Sequence, residues 1–141
     1  MNIKDPIRIN VFNDSSQQYI PRQRIITTLE QLLFDENVYE AIVNVIITDN
    51  DGIQKINNQH LGHDYPTDVL SFKMEEDSFE IEIYISIETV KDNSDDYDSN
   101  WREELIRCAI HGVLHEIGYD HSNEKDKAIM RKKEDKYLKI K

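Results

Sequence analysis

The stretch NWREELIRCAIHGVLHEIGYDH, Asn100 to His121, decides how this chain is read. Asn100 and Glu103 stand at capping-box spacing, so a helix is expected to open there. Trp101, Leu105, Ala109, Val113 and Ile117 then recur every four residues, one inward stripe of a helix running through Ile117. Gly118 supplies the break, because glycine accepts the positive-φ backbone that commonly ends helices. A helix advances ~1.5 Å and turns ~100° per residue, so His111 and His115 lie on one face, one turn apart. The turn after Gly118 swings His121 back toward them.

Three imidazoles in eleven residues, in a chain with five histidines, point to a metal centre rather than to scattered surface residues. Structural zinc sites close their tetrahedron with four protein ligands and often use thiolates, whereas three His with an open position is the catalytic pattern. The expected ligands are therefore His111, His115 and His121, holding one zinc per chain. Cys108 shares the helical stripe, but the axial distance from 108 to 115 is ~10.5 Å, too far for both to join one ion. It is assigned to the core. Zinc peptidases of the H-E-x-x-H type carry a glutamate base after the first histidine, and Gly112 stands there instead. Asp120 and Glu116 are nearby carboxylates, either acid–base groups or, respectively, a partner of a His ring and a solvent-facing side chain. No catalytic residue is assigned.

The rest of the chain reads as α+β, a small mixed sheet packed by helices with the HxxxH helix at its centre. Ile25, Ile26, Leu29, Leu32 and Leu33 after Pro21 predict a helix near 21–35. Val43, Val45 and Ile47 alternate as a strand over about 39–48. A short helix is expected from Asp49 to about Gln59, capped by Asp49 or Asn50, then a strand at Val69–Lys73. Ile81, Ile83, Ile85 and Ile87 alternate with Glu80, Glu82, Tyr84 and Ser86, the clearest strand signal present. The region Pro6–Asn10 is expected to begin an edge strand, and 123–138 to form the last helix. Ala128, Ile129, Met130, Tyr137 and Leu138 are expected to supply its packed face. The acidic run Asp92–Asp98 is read as a solvated loop.

With 141 residues and 38% hydrophobic content, one domain spanning 1–141 is expected. No apolar stretch approaches the ~20 residues that span a membrane, and Met1–Asp5 lacks the apolar region of a signal peptide. One cysteine agrees with a reducing compartment. A cytoplasmic protein without membrane contact is expected. The net charge of −11 opposes binding to a polyanion, but its distribution is uneven. Residues 124–141 hold eight Lys or Arg against four acids, a net of +4 on a remainder of −15.

At this point a resemblance becomes specific. His111–His121 resembles the H-G-x-L-H-x-x-G-Y-D-H signature of the YbeY family, bacterial rRNA maturation factors described as single-strand-specific metallo-endoribonucleases. Asp64-Tyr-Pro66-Thr67-Asp68-Val69-Leu70-Ser71-Phe72 is similar to the family's D-x-P-T-D-V-L-S-F block, preceded by Ile56-Asn57-Asn58 like its L-N element. The resemblance covers nearly the whole chain. It implies zinc on His111, His115 and His121, single-stranded RNA as substrate, rRNA or ribosomal subunits as partners, and a role in 16S rRNA 3′-end maturation and ribosome quality control. No DNA partner is implied. The chain departs from the pattern at Leu61, where the family carries an arginine associated with activity, with His60 and His63 as the candidate substitutes. It departs also at Ile81-Glu82 in place of Gly-Asp, and at Lys127-Ala128 in place of Glu-Ala. Met130 and Glu134 fit.

Two alternatives stay open. A zinc peptidase shares the ligand spacing but lacks its base at Gly112, and a non-catalytic metal-stabilised module requires a fourth ligand that the nearby sequence does not offer.

Overall fold

The computed structural model describes residues 6–65, 67–96 and 100–140. Met1–Asp5, Pro66 of the second block, Tyr97 and Asp98 of the acidic run, and Lys141 of the basic tract lie outside the described residues. Four strands, β1 (Ile7–Asn13), β2 (Ala41–Thr48), β3 (Val69–Lys73) and β4 (Glu80–Ser86), form one sheet in the order β1-β2-β4-β3. β1 and β4 flank β2 in parallel, and β3 runs antiparallel along β4. The sheet is mixed, as expected, with β1 on an edge. The helices are α1 (Arg22–Asp35), α2 (Asn50–Leu61), α3 (Ile87–Asp96), α4 (Trp101–Ile117) and α5 (Glu124–Leu138).

Alternation decides which face is covered. Val43, Val45 and Ile47 of β2 and Ile81, Ile83 and Ile85 of β4 are fully buried, while the residues between them are half-buried. α4 packs against β3 and β4 and against α1, α3 and α5. Its Leu105, Ile106, Ala109, Ile110, Val113 and Leu114 are all inaccessible, so it is a central helix, buried on more sides than the single stripe predicted. Trp101 and Ile117, at its ends, are half-buried.

Gly112 lets α4 approach this closely. A Cβ there would stand 3.0 Å from Ile83 Cγ2 and 3.2 Å from its Cδ1 and Cγ1. The position expected for a peptidase glutamate therefore faces the sheet, with no room for so long a side chain.

Four expectations are corrected. α3 was not expected: Ile87 belongs to it rather than to β4, and residues 92–96 are helical rather than a loop. Ser86 ends the strand by accepting the Thr89 N–H at 3.3 Å, and Ile87, Val90 and Ser94 form the buried stripe. Asp49 sits at the N-cap of α2 without capping it by side chain, because its carboxylate accepts from the Ser16 N–H and hydroxyl at 3.0 and 3.1 Å. Asn100 does cap α4, accepting from the Arg102 N–H at 2.8 Å, but Glu103 turns away to a forked pair with Arg24 at 2.6 and 3.0 Å. On α5 the packed face is Met130, Glu134 and Tyr137, with Leu138 half-buried and Ala128 and Ile129 exposed.

α1 and α5 are tied by one carboxylate. Glu36, with 7% of its side chain exposed, accepts from the hydroxyls of Tyr119 and Tyr137 and from Lys133 Nζ at 3.0 Å. Burial pushes its carboxyl up, but the three donors outweigh that and hold it below the 4.5 of the free group. Its stabilisation is therefore complete above that value and fades as pH falls through the lower folded one. Urea titrations from pH 6 downward should show this acid-side loss, and Glu36→Gln should flatten it. Gly112→Ala should destabilise the protein by about 1 kcal/mol, since overpacking costs ~1–3 and helix propensity returns ~1. Ile83→Val should relieve it, and fully additive losses in the double variant would contradict the close approach.

Candidate metal centre

The final turns of α4 and the turn after it bring the three predicted histidines together. The His121 ring centroid lies 5.0 Å from that of His111 and 5.9 Å from that of His115. α4 ends as expected at Gly118, φ +131°, where no neighbouring atom would meet a Cβ, so backbone conformation and not space requires the glycine. Gly118 N–H bonds His115 O at 3.2 Å and Tyr119 N–H bonds Leu114 O at 3.0 Å, the paired closure of a Schellman turn.

Two of the rings are held from behind by carboxylates. His111 Nδ1 lies 2.7 Å from Glu134 Oε2, and His115 Nδ1 lies 3.0 Å from Glu116 Oε2. A neutral imidazole that donates from Nδ1 keeps its Nε2 lone pair for a ligand, the arrangement by which carboxylates orient metal-binding histidines. Glu134 is nearly buried, with 7% of its side chain exposed, and its other oxygen takes Arg107 Nη1 at 3.2 Å. Arg107 also bonds Asp135 at 3.0 Å. Glu116 Oε2 accepts a second bond from Ser71 Oγ at 2.8 Å, so β3 of the second sequence block braces the first.

These contacts correct the reading of the carboxylates. Glu116 does not simply face water. Asp120 does not bond a ring: it accepts from Ser122 Oγ at 2.8 Å and the His121 N–H at 2.7 Å, and those bonds hold its carboxyl below the usual range. Glu134, which no spacing rule connected to His111, is the partner missed from sequence. Its signal in the sequence was its fit to the resembled family pattern; its place on the buried stripe of α5 with Met130 and Tyr137 emerges only in the structure.

Cys108 is a core residue as expected. Burial, then the nearby Asp68, Glu104 and Glu134 carboxylates, pushes its thiol well up, against thiolate ligation. Among the described residues, no three His, Cys, Asp or Glu side chains are converged as they stand on a point that would hold an ion. The donor chemistry nevertheless fits a divalent metal: three imidazoles are neighbours, and two have their inner nitrogens occupied. Donors around zinc at ~2.0–2.1 Å would have to draw in from these separations by side-chain rotation.

A cleft of about 1020 Å³ opens beside His111 and His121, lined also by Asp68, Arg107, Lys127 and Arg131. Asp68 immediately precedes β3, and Lys127 and Arg131 are exposed, one turn apart on α5. Lys133 of the same basic tract is committed to Glu36. Leu61 is exposed at the end of α2. Its flanking histidines have aromatic neighbours, His60 at 4.6 Å from Phe72 and His63 stacked on Tyr65 at 5.4 Å. Asn57 anchors the loop before β3, donating to Tyr65 O at 2.9 Å.

Comparison with known proteins places this geometry in a family context. The profile of the family described as endoribonuclease YbeY matches residues 10–140. A Flavobacterium psychrophilum protein named endoribonuclease YbeY is 42% identical over 116 residues, 82% of this chain and 83% of that protein. One of the same name from Chloroherpeton thalassium is 36% identical over 129 residues, covering 91% and 92%. The solution structure of TM1509 from Thermotoga maritima superposes with a TM-score of 0.69 at 34% identity, over 95% of this chain and 87% of that one.

The carboxylate contacts predict the histidine tautomers. Long-range ¹H–¹⁵N spectra of metal-free protein should show neutral His111 and His115 protonated on Nδ1. Glu134→Ala should release His111 toward the Nε2–H form, and an Nε2–H tautomer for His111 in the unsubstituted protein would contradict its bond to Glu134.

Proposed function

This chain belongs to the YbeY family of endoribonucleases, and on that premise we propose that it is a zinc-dependent endoribonuclease cutting single-stranded RNA, acting in 16S rRNA 3′-end maturation and ribosome quality control. The observation that carries the proposal is the trio His111, His115 and His121 with two Nδ1 atoms already bonded to Glu134 and Glu116. These three residues would hold one zinc per chain. A bound divalent ion supplies Lewis acidity toward a phosphoryl oxygen and toward water.

The protein's own residues do the orienting. Glu134 and Glu116 keep the coordinating nitrogens turned outward, Arg107 neutralises Glu134, and Ser71 holds Glu116 in place. Lys127 and Arg131 stand on the cleft beside His111 and His121, where a phosphate backbone would run. Local cations suffice against a net charge of −11, because screening at physiological salt limits exposed charges to ~8 Å. The general base is not assigned: Glu116 and Asp120 are both engaged in hydrogen bonds. A peptidase reading is disfavoured by Gly112, whose Cβ position meets Ile83. Among the described residues no helix is long and apolar enough to cross a membrane, and the proposal takes the cytoplasm as the site of action.

Purified protein should carry about one zinc per chain, with an X-ray absorption spectrum of nitrogen and oxygen scatterers only. Sulfur at ~2.3 Å would implicate Cys108 and refute the three-His set. His121→Ala should lower zinc affinity at least tenfold, since changes even behind the ligands cost ~10–100-fold. Metal-loaded protein should cut single-stranded RNA, with binding weakened by salt. Lys127→Glu with Arg131→Glu should weaken RNA binding and leave zinc content unchanged. Cleavage of casein but not RNA, lost in His111→Ala, would overturn the nuclease in favour of a peptidase.

A further inference from the structure

Glu36 is a nearly buried carboxylate with no part in the chemistry proposed above, yet its contacts lead to the metal centre. It ends α1 in a Schellman turn, with Asn37 N–H on Phe34 O at 3.1 Å, Val38 N–H on Leu33 O at 2.8 Å and Asn37 at φ +66°. Its position is thereby set by α1 rather than by the centre. Oε1 accepts the Tyr119 hydroxyl at 2.5 Å, and Oε2 accepts Lys133 Nζ at 3.0 Å and the Tyr137 hydroxyl. Lys133 Nζ also lies 5.4 Å above the Tyr119 ring.

Tyr119 is two residues before His121, in the turn between α4 and α5. The other side-chain bonds of that turn stay local: Asp120 bonds the His121 N–H and Ser122, and Asn123 caps α5 by accepting from the Asp126 N–H at 2.8 Å. Among the described residues, the bond from Tyr119 to Glu36 is the one side-chain hydrogen bond that ties residues 118–123 to a distant element. His111 and His115 ride on a packed helix, but His121 rides on this turn. A ligand on a loose turn must be ordered as it binds, and that ordering weakens affinity.

We propose that Glu36, acting through Tyr119, is a positioning residue that holds the 118–121 turn so that the His121 ring stays beside those of His111 and His115. The inference rests on the three-His reading. It assigns a role in metal affinity to a residue 85 positions from His121 in sequence.

The test compares two substitutions that each take one hydroxyl from Glu36. Tyr119→Phe removes the bond to the turn, while Tyr137→Phe removes a bond from within α5. Thermal unfolding of the metal-free variants establishes that both fold and measures their common loss of stability. Zinc affinity is then read by competition with a chromogenic chelator. Tyr119→Phe should bind zinc about tenfold more weakly, the lower end of effects transmitted from behind a ligand, and Tyr137→Phe should match the unsubstituted protein. Glu36→Gln, which keeps a carbonyl oxygen for the tyrosines, should fall between them and serves if Tyr119→Phe does not fold. Unchanged affinity in Tyr119→Phe overturns the proposal, as do equal losses in both tyrosine variants, which would make Glu36 a purely structural hub. If the unsubstituted protein binds no zinc, or His121→Ala binds it undiminished, the three-His reading itself fails and takes this inference with it. That result differs from a failure confined to Tyr119→Phe.

Discussion

The close approach of α4 to β4 at Gly112 and Ile83 is the constraint on which the rest of the structure depends. The helix lies this close to the sheet because its contact residue has no side chain; atoms of Ile83 already stand 3.0–3.2 Å from where a Cβ would be. His111 is adjacent in sequence and His115 is one turn on, so the seating of the helix sets the position of both rings. It also sets the identity of residue 112. A carboxylate there, as in the peptidases with similar histidine spacing, would have to be driven into a close-packed interior.

Once α4 is enclosed, each polar group on it needs a partner, because an unpaired buried polar atom costs more than a hydrogen bond returns. Arg107 has Glu134 and Asp135, His111 has Glu134, and Glu116 has Ser71 and His115. These contacts, which leave Arg107 Nε without a hydrogen-bond partner, also point two imidazoles outward. Glu134 shows the coupling best: Arg107 and His111 share its two oxygens, so the charge that makes burial of the arginine tolerable also orients a ring. On α5, Arg131 at the cleft and its neighbour Lys132 are exposed and in no ion pair among the described residues, which gives a strongly acidic chain a locally basic rim.

Glu36 extends this logic outside the centre. Donors from the α4–α5 turn and from α5 converge on it from 83 to 101 residues away. Lys133, which the charge pattern alone would offer to a phosphate, is drawn into this cluster. Residues of one sign and one sequence tract thus divide into structural and exposed sets, a division made by the packing of α5 against α1.

Much was legible in the chain itself. The alternation of Ile81, Ile83 and Ile85, the exact span of Val69–Lys73, the helix stripe of Leu105, Ala109 and Val113, and the break at Gly118 are local patterns, set by the periods of strand and helix and by glycine's backbone freedom. The grouping of His111, His115 and His121 was legible for the same reason, being a matter of one helical turn and one reversal. Local competition hid other features: Ile87 continued the strand alternation while Ser86 was capping a new helix, and the cap at Asn100 left Glu103 free for Arg24. Apart from Glu116, adjacent to His115, the partners that brace the centre could come only from tertiary structure. Glu134, Ser71 and Glu36 reach their targets across 23, 45 and 83 residues, and sequence spacing carries no record of which side chains a folded sheet and its helices bring within a hydrogen bond's length.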